Sequence, residues 1–474
     1  MTAKTQPVLR HVVSINDLTN KEIETVFDVA QSFLDELPDP RLSYRIGRST
    51  DIASKSILAT LFYEPSTRTR LSFESAMLRL GGDVITSADP ATSSAAKGES
   101  LADSVRVVSN YADVIVIRHP RDGAARLAAE YASIPVINGG DGAHEHPTQT
   151  LCDLFTLKRK HKQLKNLKIA ISGDLRGSRT IHSFVYALAR FGAIIDPMAA
   201  PGMELPAHVH RRLKEEYRCE LVSATDESGT VDAMYVTPDE PHQQSLFSGA
   251  EVDHSVIMRK KIDAVYVTRF QKERWADKDQ EYPRIDAKFL KDSKYSHASV
   301  MHPLPRVNEL DAAFDSDSRA MYFQQAAYGV PIRMALISLL LSLRPDRNLQ
   351  KFENGFDSPK QPLYSQPRTF GIRCANKNCI SHEPMEAQYV ANKFYVINNG
   401  TTRLRCFYCE NDIEHFVVGH RKQMWFAPDT SLFSRPGEPG FRDLVAFAAP
   451  EDAIAAGYHP KQTSKQSPPR RASA

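Results

Sequence analysis

The segment 63–70, Tyr-Glu-Pro-Ser-Thr-Arg-Thr-Arg, places hydroxyls and guanidiniums at what the pattern predicts to be a helix start. A run of apolar residues at helical spacing follows it, and a pair of glycines ends that run. The first turn of a helix has unpaired N–H groups and a partial positive charge, so such side chains converge there on an anion. The segment therefore predicts a phosphate site. An ordinary surface helix, with Arg70 and Glu74 as an ion pair, is the alternative.

Three further polar groups in the first half of the chain stand where predicted elements begin or end. Arg118 directly follows the apolar segment 114–117. His146 and Gln149 stand in a His-Pro-Thr-Gln sequence that opens another helical pattern, so an imidazole and an amide project from one first turn. A hydrogen-bonded structural histidine is the alternative for His146. Taken together, these groups predict additional donors for the same anion.

The second half of the chain repeats this arrangement. Arg179 opens a helical pattern after a glycine-containing turn, and Arg269 and Gln271 stand two residues apart just past a predicted strand, where alternation directs both to one side. The loop 302–306, His-Pro-Leu-Pro-Arg, is bracketed by prolines and would hold its backbone carbonyls in fixed directions. These groups predict a second polar wall of one cleft, and solvated surface charges are the alternative.

Four of the six cysteines form two closely spaced pairs, Cys374 with Cys379 and Cys406 with Cys409. The spacings C-x4-C and C-x2-C are typical of a zinc ribbon. Four thiolates close a tetrahedral site, which predicts one structural Zn²⁺ per chain and no open catalytic position. Four free thiols are the alternative.

The elements that must position these groups are short. Five apolar, β-branched segments alternate with helical patterns, at 57–62, 114–117, 167–171, 231–236 and 262–267. This alternation predicts an α/β fold with two doubly wound parallel-sheet domains, followed by a small β-rich zinc-ribbon domain. Ligands of such sheets bind beyond the carboxyl ends of the strands, which is where the candidate residues stand.

Composition excludes several classes of protein. The chain of 474 residues carries 60 Lys and Arg against 57 Asp and Glu, a net charge of +3, so nothing in it calls for a nucleic-acid or membrane partner. Neither the apolar core of a signal peptide nor an uninterrupted membrane-spanning stretch is present. A cytoplasmic protein is expected.

The order of six motifs closely resembles that of the aspartate carbamoyltransferases, over roughly residues 8–343. The motifs are Ser-Thr-Arg-Thr-Arg, Arg-His-Pro, His-Pro-Thr-Gln, Gly-Asp-Leu-x-x-x-Arg-Thr, Arg-x-Gln-x-Glu-Arg and His-Pro-Leu-Pro-Arg. That family transfers the carbamoyl group of carbamoyl phosphate to L-aspartate in pyrimidine biosynthesis. The cysteine module resembles the zinc domain of the family's separate regulatory chain, here fused to the catalytic chain.

The resemblance implies a role for each candidate residue. The carbamoyl phosphate ligands would be Ser66, Thr67, Arg68, Thr69, Arg118, His146 and Gln149. The aspartate ligands would be Lys97, Arg179, Arg269, Gln271 and the carbonyls of Leu304 and Pro305. The catalytic residues would be Arg68, Thr69, Arg118, His146 and Lys97. Lys97 stands in a loop that in this family enters the neighbouring subunit's active site, which implies a homotrimer with shared sites and leaves higher assembly open.

The same resemblance fixes the expected domains. They are a carbamoyl phosphate domain at 1–149 with helices returning at about 325–343, an aspartate domain at 150–324, a linker at 344–370, the zinc ribbon at 371–422 and a poorly structured extension at 423–474. The linker is too short for the regulatory chain's nucleotide-binding domain, and segment 219–262 fits the family poorly.

Two other functions fit part of the pattern. An ornithine carbamoyltransferase would share the carbamoyl phosphate half, but such enzymes carry a cysteine where this loop has Pro303. An inactive scaffold with a zinc-ribbon interaction role would not need five converging cationic or imidazole side chains.

Overall fold

The structure is a computed structural model of the chain. It describes residues 10–87, 97–162, 164–199, 202–222, 232–237, 263–268, 286, 291, 295–307, 309–343, 366–399, 401–428, 430–434 and 443–461. Contacts divide the chain into two compact units, Met1–Lys360 and Gln361–Ala474.

The first unit contains a four-stranded parallel sheet in the order β2-β1-β3-β4. Its strands are β1 Ile57–Phe62, β2 Asp83–Ser87, β3 Val114–His119 and β4 Val136–Asp141. The helices near it are α1 Asn20–Glu36, α2 Thr67–Arg79, α3 Leu101–Val108, α4 Ala124–Tyr131 and α5 Pro147–His161. The four apolar residues that open β3 are buried, as expected for a parallel strand covered on both faces.

A second parallel sheet of the same unit has five strands in the order β6-β5-β7-β8-β9. Its strands are β5 Lys168–Gly173, β6 Ile194–Ala199, β7 Ala233–Val236, β8 Ala264–Val267 and β9 Ser299–Met301. The helices in this part are α6 Arg179–Arg190 and α7 Ala207–Glu215. The two parallel sheets confirm the predicted α/β class, while the predicted boundary at residue 149 stays a prediction.

The helix α8, Tyr322–Leu340, follows the second sheet along the chain but packs against α1, α2 and α5. It is apolar on all sides, and most of its residues are buried. Among the described residues, one hydrophobic cluster runs from α1 through α5 and α6 to α8. The helices and strands that carry the candidate site residues therefore share one hydrophobic core.

The second unit contains two four-stranded sheets. The first sheet has the order β10-β11-β12-β13, and it is antiparallel. The second has the order β16-β14-β15-β17 and a small apolar core of its own. The strands are β10 Arg368–Thr369, β11 Lys393–Asn399, β12 Thr401–Cys406, β13 Asp412–Ile413, β14 Val417–His420, β15 Trp425–Ala427, β16 Leu444–Phe447 and β17 His459–Pro460, with helix α9 at Pro450–Ala455.

This second sheet differs from the expectation of a poorly structured extension at 423–474. Residues 443–461 contribute two strands and a helix, and Phe426, Val445 and Phe447 are buried between them. The expected linker also differs at its end, because β10 pairs with β11 from Arg368 onward. Strands of two to four residues show too little alternation for the sequence pattern to reveal them. Among the described residues, no helix is long and apolar enough to cross a membrane.

Candidate active site

A cavity of about 680 Å³ opens in the first unit, where β1, β3, β5, β7, β8 and β9 end. It is lined by residues that follow strands of both parallel sheets and by one side of α8. The polar lining residues are Ser66, Arg68, Thr69, Ser72, Ser75, Arg118, His146, Gln149, Asp174, Ser178, Arg179, Thr180, Thr237, Thr268, His302, Gln325 and Arg333. This is the position that the strand-end rule predicts for a ligand.

The first wall of the cavity is the start of α2. Ser66 occupies the N-cap position with extended backbone, and its side chain makes no capping hydrogen bond. Ser66, Arg68 and Thr69 line the cavity, whereas Thr67 does not. Arg70 instead lies with its Nε 3.8 Å from Glu74 Oε1. The surface-helix alternative therefore applies to Arg70 alone.

Arg118 ends the buried strand β3 and reaches into the cavity. Its side chain is 8% exposed, Nη1 donates to Gly139 O at 3.2 Å, and Nη2 donates to Glu64 Oε1 at 2.6 Å. Its Nε has no hydrogen-bond partner among the described residues. Burial and the neighbouring Arg179 lower the pKa of Arg118 to about 10, so the guanidinium stays charged at neutral pH.

Gly140 marks the point where three predicted ligands converge. Its φ of +114° is one that other residues rarely adopt. A Cβ placed there would lie 3.1 Å from Arg118 Nη1, 3.3 Å from His146 Cδ2 and 3.6 Å from Arg179 Cζ. Side chains that follow strands of two different sheets therefore meet around one point.

His146 is the N-cap residue of α5, with Pro147 in the first turn. Its ring is buried and its Nδ1 has no hydrogen-bond partner among the described residues, which speaks against the structural-histidine alternative. Burial, followed by the charges of Arg118 and Arg179, lowers the pKa of His146 well below 6.5. The imidazole is therefore neutral at pH 7 and can donate one N–H without adding a charge.

Glu64 joins the two arginines, and the sequence reasoning missed it. Arg179 donates to Glu64 Oε1 at 2.7 Å and to Oε2 at 3.1 Å, while Arg118 donates to the same Oε1. Burial alone would raise the pKa of Glu64, but the hydrogen bonds and charges of Arg179 and Arg118 lower it to about 2. The signal was present, since Glu64 is the sole carboxylate in the segment 63–70.

We expect Glu64→Gln to lower the free energy of unfolding at pH 7 by about 1–3 kcal/mol, because two guanidiniums lose their shared carboxylate. The folded pKa lies below the unfolded value of 4.5, so the stabilisation is present above that pH and is lost as the pH falls towards 2. Chemical denaturation at pH 7 and at pH 3.5 measures the difference between variant and parent. The exposed Glu36→Gln is the matched control, and an equal difference at both pH values would contradict this assignment.

The loop after β9 forms another wall of the cavity. His302 is fully buried, its Nε2 pairs with Glu309 Oε1 at 2.9 Å, and its Nδ1 accepts from the backbone N–H of Leu304 at 2.8 Å. Leu304 has a φ of +51° and lines the cavity together with Pro305. The imidazole thus holds the backbone that carries the two predicted carbonyl ligands.

Among the predicted ligands that the structure describes, Thr67 and Lys97 do not line the cavity. Arg269 and Gln271 lie outside the described residues. Lys97 is exposed and does not line the cavity of its own chain. Among the predicted acceptor-side ligands that would use their side chains, Arg179 lines the cavity and donates to Gly142 O at 2.9 Å as well as to Glu64.

The four paired cysteines form a buried cluster in the second unit. Their sulfurs all lie within 4.8 Å of one another, with 3.5 Å between those of Cys374 and Cys409 and 3.8 Å between those of Cys379 and Cys406. Tetrahedral coordination at about 2.3 Å requires sulfurs about 3.8 Å apart, so the thiols fit a metal ion. His382 Nε2 also lies 2.7 Å from Cys374 O, which braces the first cysteine.

Two parallel sheets that share a cationic cavity at their strand ends define an α/β protein with a site suited to anionic ligands. Matches to models of known protein families identify the class of protein more closely. The carbamoyl-P binding domain of the aspartate/ornithine carbamoyltransferases matches residues 10–159, and their Asp/Orn binding domain matches residues 244–340. The metal binding domain of the aspartate carbamoyltransferase regulatory chain matches residues 369–418.

The chain belongs to the aspartate carbamoyltransferase family. It is 43% identical to the catalytic subunit from Picrophilus torridus over 335 residues, which cover 70% of this chain and 97% of that one. The M. jannaschii catalytic subunit structure matches with a TM-score of 0.55 at 40% identity, covering 70% of this chain and 98% of that chain. Aspartate transcarbamoylase from Trypanosoma cruzi, in complex with carbamoyl phosphate and aspartate, matches with a TM-score of 0.54 at 29% identity over 70% and 98% of the two chains.

Proposed function

We propose that the cavity transfers the carbamoyl group of carbamoyl phosphate to the amino group of L-aspartate, giving N-carbamoyl-L-aspartate and phosphate for pyrimidine biosynthesis. The observation that carries this proposal is the convergence of Arg118, His146 and Arg179 around Gly140, beside the start of α2. A phosphate and two carboxylates must share one pocket, and only a dense set of donors and cations offsets their repulsion.

The donor half binds carbamoyl phosphate. Ser66, Thr69 and the N–H groups that open α2 hold the phosphate together with the guanidinium of Arg118. His146 and Arg118 aim N–H groups at the carbonyl oxygen, where negative charge grows as the tetrahedral intermediate forms. The amine attacks the carbonyl carbon, the bond from carbon to the phosphate oxygen breaks, and the departing phosphate takes up the amine's proton. No carboxylate base is needed.

The acceptor half binds aspartate through Arg179 and through the carbonyls of Leu304 and Pro305, and Arg269 and Gln271 complete the predicted set. An acceptor assay tests this specificity directly: purified protein is supplied with carbamoyl phosphate and either aspartate or ornithine, and the carbamoylated amine is identified. We expect carbamoyl aspartate. Carbamoyl ornithine, or no product, would overturn the proposed function.

We further propose that the chain acts as a homotrimer whose active sites are completed by Lys97 of a neighbouring copy. Lys97 is exposed and lies away from its own cavity, and Leu71 and Leu78 on α2 are each more than half exposed, which favours burial against another copy. Assembly beyond the trimer stays open.

Lys97→Ala is expected to lose most activity while its melting temperature stays unchanged, because an exposed lysine contributes little to stability. Mixing this variant with His146→Ala, under conditions that exchange subunits, should restore about a quarter of the wild-type activity, since random trimers then contain intact shared sites. Activity is measured before and after exchange, with each variant alone as control. Failure to regain activity on exchange would rule out a shared site.

The metal that fits the four-thiol cluster is one structural Zn²⁺ per chain, held by Cys374, Cys379, Cys406 and Cys409. It would crosslink the segment between β10 and β11 to the end of β12 and the turn that follows it, and it would supply no catalysis. We place the protein in the cytoplasm, because none of its six cysteines forms a disulfide.

A further inference from the structure

Asp153 lies one helical turn beyond Gln149 on α5 and is 1% exposed. It does not line the cavity, and within the described part of the chain it forms no ion pair of 4 Å or less. Its carboxylate is instead surrounded by neutral donors. Oδ1 accepts from Gln149 Nε2 at 2.8 Å and from Gln325 Nε2 at 2.7 Å, and Oδ2 accepts from the hydroxyl of Tyr266 at 3.1 Å.

The backbone fixes the direction of this network. The N–H of His302 can only donate, and it donates to Gln325 Oε1 at 2.9 Å. The amide nitrogen of Gln325 must therefore face Asp153, which makes Oδ1 an acceptor. An amide oxygen placed against the same Oδ1 would be repelled, so Gln149 must also present its nitrogen there.

With its nitrogen against Asp153, Gln149 turns its amide oxygen Oε1 away from that carboxylate, so Oε1 is the acceptor that Gln149 can offer to the cavity that it lines. A carbonyl oxygen accepts hydrogen bonds and cannot donate them. In a carbamoyl phosphate site, the group that can donate to it is the amino group of the carbamoyl moiety. A methyl group in the same place could not.

We propose that Asp153 is a positioning residue that holds the amide of Gln149 with its oxygen towards the cavity, and so selects a carbamoyl donor over other acyl phosphates. This inference rests on the proposed function. Asp153 is also linked to the loop that begins at His302. Gln325 donates to the carboxylate of Asp153 and accepts from the backbone N–H of His302. One buried side chain thereby fixes an amide of the donor half and a backbone segment of the acceptor half.

Protonation does not change this arrangement. Burial raises the pKa of Asp153 to about 7, although hydrogen bonds from Gln325, Gln149 and Tyr266 act to lower it. A proton taken up by the carboxylate would go to Oδ2, where the hydroxyl of Tyr266 can accept it. Oδ1 would remain an acceptor for both glutamines.

The test compares carbamoyl phosphate with acetyl phosphate, which keeps the phosphate and the carbonyl but has a methyl group in place of the amino group. In Asp153→Leu, both carboxylate oxygens are removed, so the amide nitrogens of Gln149 and Gln325 lose their shared acceptor. We expect the KM of carbamoyl phosphate to rise about tenfold, the equivalent of one hydrogen bond. The inhibition constant of acetyl phosphate, measured against carbamoyl phosphate, should change less than about twofold because no N–H is lost.

Two further variants serve as the negative and the positive control. Asp196→Asn alters another buried carboxylate, on β6 and away from the cavity, and should leave both constants unchanged. Gln149→Leu removes the amide itself and should reproduce the selective loss of carbamoyl phosphate. If Asp153→Leu does not fold, as judged by circular dichroism, the same pair of constants is measured for Asp153→Ser.

Each outcome decides the proposal. A parallel loss of affinity for both acyl phosphates, or an unchanged KM for carbamoyl phosphate, would show that Asp153 does not orient the amide. A selective effect in Gln149→Leu with none at position 153 would overturn the inference and leave the function standing. Failure of the parent protein to carbamoylate aspartate would instead overturn the proposed function.

Discussion

Arg118→Ala is expected to lower kcat/KM for carbamoyl phosphate by about 10²–10³-fold, the cost of removing one donor to a developing oxyanion. Arg118 is 8% exposed and its guanidinium lies in the wall of the cavity, so water does not fully replace it. It is also fixed before substrate arrives, because Gly139 and Glu64 hold both of its terminal nitrogens. Steady-state kinetics with both substrates measures the loss.

Two further variants separate charge from geometry at this position. Arg118→Lys keeps a positive charge but loses the planar fork, and we expect it to recover only part of the activity. Arg106→Ala removes a surface arginine that pairs with Asp103, and its kinetics should match those of the parent. Should Arg118→Ala retain more than about a tenth of the parent kcat/KM, the oxyanion role of this residue would be wrong.

Cys406→Ser is expected to release the metal and unfold the second unit. Metal binding to structural zinc sites is worth about 10–16 kcal/mol in small peptides, which exceeds what a small apolar core supplies. The hydrophobic cluster around Phe426 and Phe447 in the β14–β17 sheet has five buried residues among those described. Metal content should fall from about one ion per chain to a small fraction of that value, as measured by elemental analysis.

Unfolding of this unit can be followed at Trp425, which lies on β15. Trp275→Phe leaves it as the sole tryptophan of the chain, so a shift of its fluorescence to longer wavelength reports exposure. Cys219→Ser removes a thiol outside the cluster and should retain the metal and the emission of the parent. Full metal content in Cys406→Ser would exclude the four-thiol site.

The sequence was informative about the cavity because its ligands stand at the ends of regular elements. Arg118 follows a strand and His146 opens a helix, so their placement needs only local rules. Glu64 was missed although it lies in the most informative segment. Its pairing with Arg179 joins residues 115 positions apart, and no local rule reports such a distance.

The second sheet of the C-terminal unit was missed for a related reason. The strand β17 has two residues and pairs with β15, more than thirty positions earlier in the chain. A pattern of alternation needs more residues than such strands contain, and their stability comes from packing around Phe426 and Phe447.

By itself the sequence predicted the chemistry of this protein: the residues proposed to bind anions, the thiols proposed to hold a metal, and the family to which the chain belongs. Residue type and spacing encode these features because caps, strand ends and metal ligands obey local geometry. Only the tertiary structure decided that Glu64 joins Arg118 to Arg179 and that Asp153 orients Gln149. Hydrogen bonds of this kind depend on distances between elements, which the packed core sets and the order of residues does not record.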